Sequence, residues 1–173
     1  MKKYFFVSAL CILTLSSCAT IPEGVTAVEP FDQSRYLGDW YEIARMDFRF
    51  ERGLNNTKAN YSINNDGSIK VTNRGFNYEK KEWKEAVGKA KFVNGSNKAM
   101  LKVSFFGPFY SGYNVIALDN DYKYALIAGK NLKYLWILSR YKTIPDEIRQ
   151  EFLMEAESAG YKVSNLIWVS HDK

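Results

Sequence analysis

The feature that most limits this chain is its punctuation. Between residues 40 and 140, short segments of alternating polar and apolar residues are repeatedly cut by turn residues, at the roughly 8–12-residue spacing of an all-β protein. Residues 40–46 form the first candidate strand. In residues 57–63, Ala59, Tyr61 and Ile63 alternate with Lys58, Asn60 and Ser62. Asn65-Asp66-Gly67 is a hairpin turn signal, because Asn, Asp and Gly tolerate the positive φ that tight hairpins need. Residues 68–76, 83–93, 99–106, 113–118, 124–128 and 134–140 continue the series, with Asn94-Gly95-Ser96-Asn97 as another turn. The run Glu79-Lys80-Lys81-Glu82-Trp83-Lys84 reads as a solvated hairpin end.

One helix interrupts this pattern. Thr143 is placed to cap it, Pro145 suits its first turn, and Asp146 and Glu147 oppose the helix dipole there. Ile148, Phe152, Ala156 and Ala159 fall on one face, and Gly160 is the stop. Residues 161–169 read as a ninth strand. Eight strands, a helix and one more strand predict an all-β fold: an eight-stranded antiparallel up-and-down barrel, with the C-terminal helix packed outside. Closure leaves no exposed sheet edge.

The N-terminus reads differently. Lys2 and Lys3 precede a mostly apolar run, residues 4–15, which is too short to span a bilayer and suits a signal-peptide core. Leu15-Ser16-Ser17-Cys18 resembles the bacterial lipobox. Residues 1–17 are therefore expected to be a lipoprotein signal peptide, with Cys18 acylated after cleavage. Acyl chains on Cys18 would anchor the protein without a spanning helix. Ala19 after the cysteine, by resemblance to lipoprotein sorting in enteric-type bacteria, favours the outer membrane. Residues 18–30, with breakers Pro22, Gly24 and Pro30, read as a tether lifting a domain of residues 31–173 off the bilayer.

Composition excludes several chemistries. Among 173 residues there is one histidine, His171, and two cysteines, Cys11 and Cys18. Cys11 leaves with the signal and Cys18 becomes the anchor, so no internal disulfide forms. A His-cluster metal site and a histidine-dependent catalytic centre are both disfavoured. Loss of Lys2 and Lys3 takes the formal charge from +5 to +3. That is too diffuse for a nucleic-acid footprint, though it suits nearness to anionic lipid.

Three motifs then fall in order. Gly38-Asp39-Trp40-Tyr41 opens the first strand, Asp119-Asn120-Asp121-Tyr122 joins the sixth to the seventh, and Leu138-Ser139-Arg140 ends the eighth. The order resembles the lipocalin signatures. Trp40-Tyr41-Glu42-Ile43-Ala44-Arg45, Phe105-Phe106-Gly107-Pro108-Phe109-Tyr110 and Tyr134-Leu135-Trp136-Ile137-Leu138-Ser139-Arg140 bring it nearest to the bacterial outer-membrane lipocalins and apolipoprotein D. The resemblance covers roughly residues 31–170. It implies that Trp40 plugs the closed end of the barrel beside Gly38, with the Arg140 guanidinium over its indole.

Strand parity from Trp40 and Arg140 predicts the lining. Trp40 inward implies Glu42, Ala44 and Met46 inward. Arg140 inward implies Leu138, Trp136 and Tyr134. The remaining strands, by apolar face or by resemblance, contribute Val71 and Asn73; Ala86, Gly88 and Ala90; Leu101, Val103 and Phe105; Tyr113, Val115 and Ala117; and Leu126 and Ala128. An eight-strand barrel either holds one small ligand or fills itself with side chains, and the small residues favour a cavity. A mostly apolar cavity suits an acyl chain, with Arg45, Arg49, Arg52 or Arg74 near an acidic or zwitterionic head.

The leading expectation is a membrane-anchored binding protein, not an enzyme, that stores or carries fatty acids or lysophospholipids in the envelope. The ligand class rests on the resemblance. It needs no cofactor, metal or nucleic acid, and a homodimer is left open. The alternatives are a lipid-modifying envelope enzyme, with Asp39, Asp119 and Asp121 as imagined acids, or a structural protein of the membrane face.

Overall fold

The computed structural model describes residues 20–173; the signal segment and Cys18 lie outside the described residues. The elements run α1 (Gln33–Tyr36), β1 (Gly38–Met46), β2 (Leu54–Ile63), β3 (Ile69–Asn77), β4 (Glu82–Phe92), β5 (Met100–Phe106), β6 (Phe109–Leu118), β7 (Tyr124–Gly129), β8 (Leu135–Ser139), α2 (Asp146–Ser158) and β9 (Leu166–Trp168). Strands β2 to β8 pair in sequence order, and β1 joins β8 to β2, so the eight-stranded antiparallel barrel is closed. β9 lies on the upper part of β1, where Arg45 faces Ile167.

Two expectations about local structure need correction. Thr143 does not cap α2: Pro145 occupies that position, and the Thr143 carbonyl instead accepts a bond from the Ser139 hydroxyl. The ninth strand shrinks to three residues, because a 3-10 turn over Val163–Asn165 precedes it. Gly160, at φ +92°, does end α2, with its N–H on the Glu157 carbonyl. Helix α1, absent from the sequence reading, is a single turn capped by the Asp32 carboxylate on the Ser34 N–H. One turn carries too little periodicity to read.

Helix α2 covers one side of the barrel. Phe152 and Ala156 pack with Ile43, Ala44, Met46, Leu126, Ala128 and Ile137 in a buried layer outside the barrel wall. A second buried cluster fills the lower lumen, with Trp40, Tyr61, Val71, Leu101, Val115, Ile127 and Leu138.

Residues 20–30 are not a free tether. The Val28 N–H bonds the Val115 carbonyl and the Val28 carbonyl accepts from Ala99 N–H, at 2.8 and 2.9 Å. Ala27 is buried, and Ile21 and Val25 pack against the α2 layer. The apolar residues between the breakers outweigh them, since burying each side chain stabilises the packed state. This segment is a strap along the barrel wall.

Trp40 is fully buried at the closed end. The Arg140 guanidinium carbon sits 3.9 Å from its ring centroid. Arg140 also donates to the carbonyls of Asp39, Arg35 and Tyr122, which ties β8 to β1, α1 and the β6–β7 turn. The indole N–H donates to the Tyr36 carbonyl at 2.8 Å. Gly38, at φ +93°, supplies a left-handed turn that a side chain would strain. Trp40→Ala should cost about 3–5 kcal/mol in a denaturant titration, the usual loss for a large buried aromatic. Equal unfolding midpoints for variant and parent would refute the plug role.

Candidate functional site in the barrel lumen

The lining follows strand pairing, because directly opposed residues in an antiparallel pair share a face. From Trp40 a row runs through Ala59, Asn73 and Ala86. A parallel row joins Tyr61, Val71 and Gly88. Strand tilt carries these rows from the closed end toward the mouth. Ala90, Leu101, Val103, Phe105, Tyr113, Val115 and Trp136 also belong to the lumen cluster. Tyr134 stacks on Trp136, 6.3 Å between centroids, and Phe48 meets both edge-on.

Five expected lining residues face the other way. Ala44, Met46, Ala117, Leu126 and Ala128 lie in the layer under α2. Two bulges explain three of them. On β1, Glu42 faces Leu138 but Ala44 faces Ile137, so two steps on β1 match one on β8 and the parity reverses. On β6, Val115 faces Ile127 but Ala117 faces Leu126, with the same result. Leu126 and Ala128 were assigned by apolarity, and β7 is buried on both faces, so apolarity could not choose. Ala125 and Ile127 are the inward pair.

The lumen narrows from an open top to a packed floor. Ala86 is exposed and Gly88 half-buried, although ladder pairing puts both on the inward face, and Val103, Phe105 and Trp136 of the lumen cluster are half-buried too. Their surfaces form an apolar cup at the mouth. Ladder pairing between β4 and β5 is confined to Lys89–Phe92, so the wall opens above it. Phe105 closes over Gly88, where a Cβ would lie 2.8 Å from the ring. Below the cup, Tyr113 links the hydroxyls of Tyr36 and Tyr61 at 2.7 and 2.8 Å. Burial raises the pKa of all three phenols above the usual value, so they stay neutral.

The sequence reading also missed a charged cluster. The bulge turns Arg45 inward, almost wholly buried, with its guanidinium on Glu42 at 2.7 Å. The same group donates to the Glu51 and Leu54 carbonyls at 2.9 and 3.0 Å, and its Nε lies 3.7 Å from the Glu51 carboxylate. Trp136 donates its indole N–H to Glu51 at 3.2 Å. One guanidinium thus faces two carboxyls. Burial, then repulsion from Glu42, pushes the Glu51 pKa well above the usual carboxylate range, despite the opposing pull of Arg45. Spacing on a regular strand would put residues 42 and 45 on opposite faces, so no sequence pattern announces this trio.

The other arginines expected near a ligand head are elsewhere. Arg74 stacks on Trp83 on the outer face, and Arg52 pairs with Asp47 at the surface. Arg49 stands on the loop between β1 and β2. The three imagined catalytic acids have structural duties. Asp119 accepts the N–H groups of Asp121, Lys123 and Tyr124, Asp39 holds Lys58 and Asn60, and Asp121 pairs with Lys123.

A carboxyl whose pKa is raised in the folded state favours folding below its unfolded value. That contribution is lost as pH rises through the folded value. The parent should therefore lose stability from weakly acidic to alkaline pH relative to Glu51→Gln, which keeps the shape without the charge. Thermal unfolding of both proteins across that range checks this, and parallel curves would exclude a titrating Glu51.

Comparison with known proteins agrees with this architecture. Residues 31–171 match the lipocalin-like domain family. The chain is 53% identical to the outer membrane lipoprotein Blc of Citrobacter freundii, covering 94% of this chain and 92% of that one. It is 48% identical to the protein of the same name from Vibrio cholerae, covering 98% of each. Apolipoprotein D of Rattus norvegicus is 33% identical over 80% of this chain and 81% of its own. Among solved structures, insecticyanin from the tobacco hornworm Manduca sexta superposes with a TM-score of 0.69 at 19% identity, covering 87% of this chain and 86% of that one. The closed barrel, the Trp40–Arg140 plug and these matches together make the chain a member of the lipocalin family.

Proposed function

We propose that this lipocalin of the bacterial outer membrane is anchored by an acylated Cys18 and holds the acyl chain of a fatty acid or lysophospholipid in the mouth of its barrel. The observation that carries the ligand reading is the half-open cup of Ala86, Gly88, Val103, Phe105 and Trp136. Ala86 on β4 leaves room, and the Phe105 ring packed over Gly88 and the Trp136 indole across the barrel offer apolar wall, which suits a flexible hydrocarbon chain. The packed floor of Trp40, Tyr36, Tyr61 and Tyr113 limits how deep that chain can go. Outer-membrane placement is supported by relatives near half identity over nearly the whole chain. Binding without catalysis is supported by the structural duties of Asp39, Asp119 and Asp121.

Polar groups at the cup give the ligand head its options. Asn73 has no protein partner for its Oδ1, which leaves an acceptor in the wall. Both terminal nitrogens of Arg45 are held by Glu42 and two carbonyls, and its buried Nε, without a hydrogen-bond partner, points at the Glu51 carboxylate 3.7 Å away. The head therefore belongs at the rim, beside Arg49 and solvent.

Titration of delipidated protein with a C16 fatty acid and with its lysophospholipid, followed by Trp fluorescence and native mass spectrometry, tests the reading. Both should bind in the parent. Ala86→Trp should weaken binding at least tenfold while the unfolding midpoint moves by no more than the scatter of a surface change. Unchanged affinity in that variant would remove the cup as the site.

A further inference from the structure

The strap is fixed to the barrel wall from its first described residue, Thr20. Asn114, fully buried on β6, donates its side-chain amide to the Thr20 carbonyl at 2.8 Å. The same carbonyl lies against Gly112, where a Cβ would stand only 1.8 Å from its oxygen. Gly112 is therefore a close-approach glycine, and no larger residue could share the position with the strap. Gly112 and Asn114 lie in the half of β6 nearer the mouth, level with Gly129 at the upper end of β7. From Thr20 the strap descends to Phe31, whose N–H bonds the Asn97 carbonyl at the closed end. The strap thus starts high on the wall and runs downward.

Cys18 precedes Thr20 by two residues, a reach of at most about 7 Å. Gly112 is three residues below Phe109, about 10 Å along the strand. Thr20, the first described residue, is consequently held within a short distance of the barrel rim. A free tether of residues 18–30 would have allowed any orientation; a strap that is packed from Thr20 onward does not.

The rim itself has an apolar crest. Phe50, Phe106 and Phe109 are the exposed phenylalanines among the described residues, at 72%, 68% and 78%, and all three stand at the mouth. Phe50 from the loop after β1 and Phe106 from the β5–β6 hairpin meet at 6.1 Å. Large apolar groups gathered at one end of a protein mark a contact surface. Around them, the mouth loops carry the cations Arg49, Arg52, Lys80, Lys81, Lys130 and Lys133 against the acids Asp47, Glu51 and Glu79. An apolar crest with an excess of cations in the loops around it matches a lipid surface, with rings among the acyl chains and cations on the head groups.

We infer that the open end of the barrel docks on the lipid face to which Cys18 is anchored, so that the mouth opens into the membrane surface and ligand enters from the bilayer. This rests on the reading of Cys18 as the acylated anchor. Gly112 and Asn114 are then positioning residues, because they set the side on which the anchor emerges.

The test uses full-length lipidated protein in vesicles of phosphatidylethanolamine and phosphatidylglycerol. Mass spectrometry of the N-terminal peptide first decides acylation of Cys18, separately from orientation. A fluorophore on Phe109→Cys at the rim, or on Asn97→Cys at the closed end, is then exposed to a lipid-borne and an aqueous quencher. The rim probe should be quenched at least fivefold more by the lipid-borne quencher, and the closed-end probe by the aqueous one. The triple variant Phe50→Ser, Phe106→Ser, Phe109→Ser, read with a probe on Lys133→Cys, should lose that contrast while its unfolding midpoint is kept. Acylated protein with an aqueous rim probe, or a rim shielded without vesicles by self-association, would overturn the proposal.

Discussion

Strand β1 carries the connectivity of the whole molecule, because it is hydrogen-bonded to three strands. Its lower part pairs with β2, its middle with β8 and its top with β9. The first two pairings close the barrel, and the third brings the C-terminus back over the wall. A regular strand keeps one face inward along its length. The bulge after Glu42 lets β1 change faces, so its top half can offer Ile43, Ala44 and Met46 to α2 and β9 while Arg45 turns into the lumen.

That reversal has an electrostatic consequence. A buried guanidinium is costly unless every donor is met, and replacing a buried ion pair by apolar groups often leaves stability unchanged or improved. The trio is therefore better understood through geometry than through net energy. Arg45 ties carbonyls of Glu51 and Leu54 to the wall, which holds the loop between β1 and β2 across one side of the mouth. Glu51 in turn fixes the indole of Trp136, a wall of the apolar cup. Charge is spent on the shape of an otherwise greasy pocket.

The two ends of the barrel are built by opposite logic. At the floor, Trp40, Arg140, Tyr36 and the linked phenols are packed and hydrogen-bonded, which stiffens the closed end. At the rim, phenylalanines stand exposed and ladder pairing between β4 and β5 stops early. A binding protein needs both: a floor that keeps the barrel folded when empty, and a mouth with few contacts to break when a ligand enters. The strap joins the ends on the outside, using the same β6 wall that contributes Tyr113 and Val115 to the lumen.

The strands and their order were legible in the sequence, and the resemblance to the lipocalins supplied the plug. Turn residues and period-2 alternation are local, so β1 to β8 could be read within a few residues, and the plug roles of Gly38, Trp40 and Arg140 were what the resemblance carried by the ordered motifs implied. The more apolar face of each strand, or the resemblance, put Val71, Asn73, Ala86, Gly88, Leu101 and Val103 on the lumen side, and regular pairing keeps them there. The remaining features arise from contacts between distant segments. Bulges at residue 43 and beside Ala117 shift parity without a local sequence mark, since they arise from how each strand matches its neighbour. β7 is apolar on both faces, so the side lined by α2 is chosen by the helix and not by the strand. The strap was hidden for the same reason: Pro22, Gly24 and Pro30 describe a segment that cannot form a helix or a central strand, and whether it floats or packs depends on the wall that Gly112 and Asn114 leave open for it.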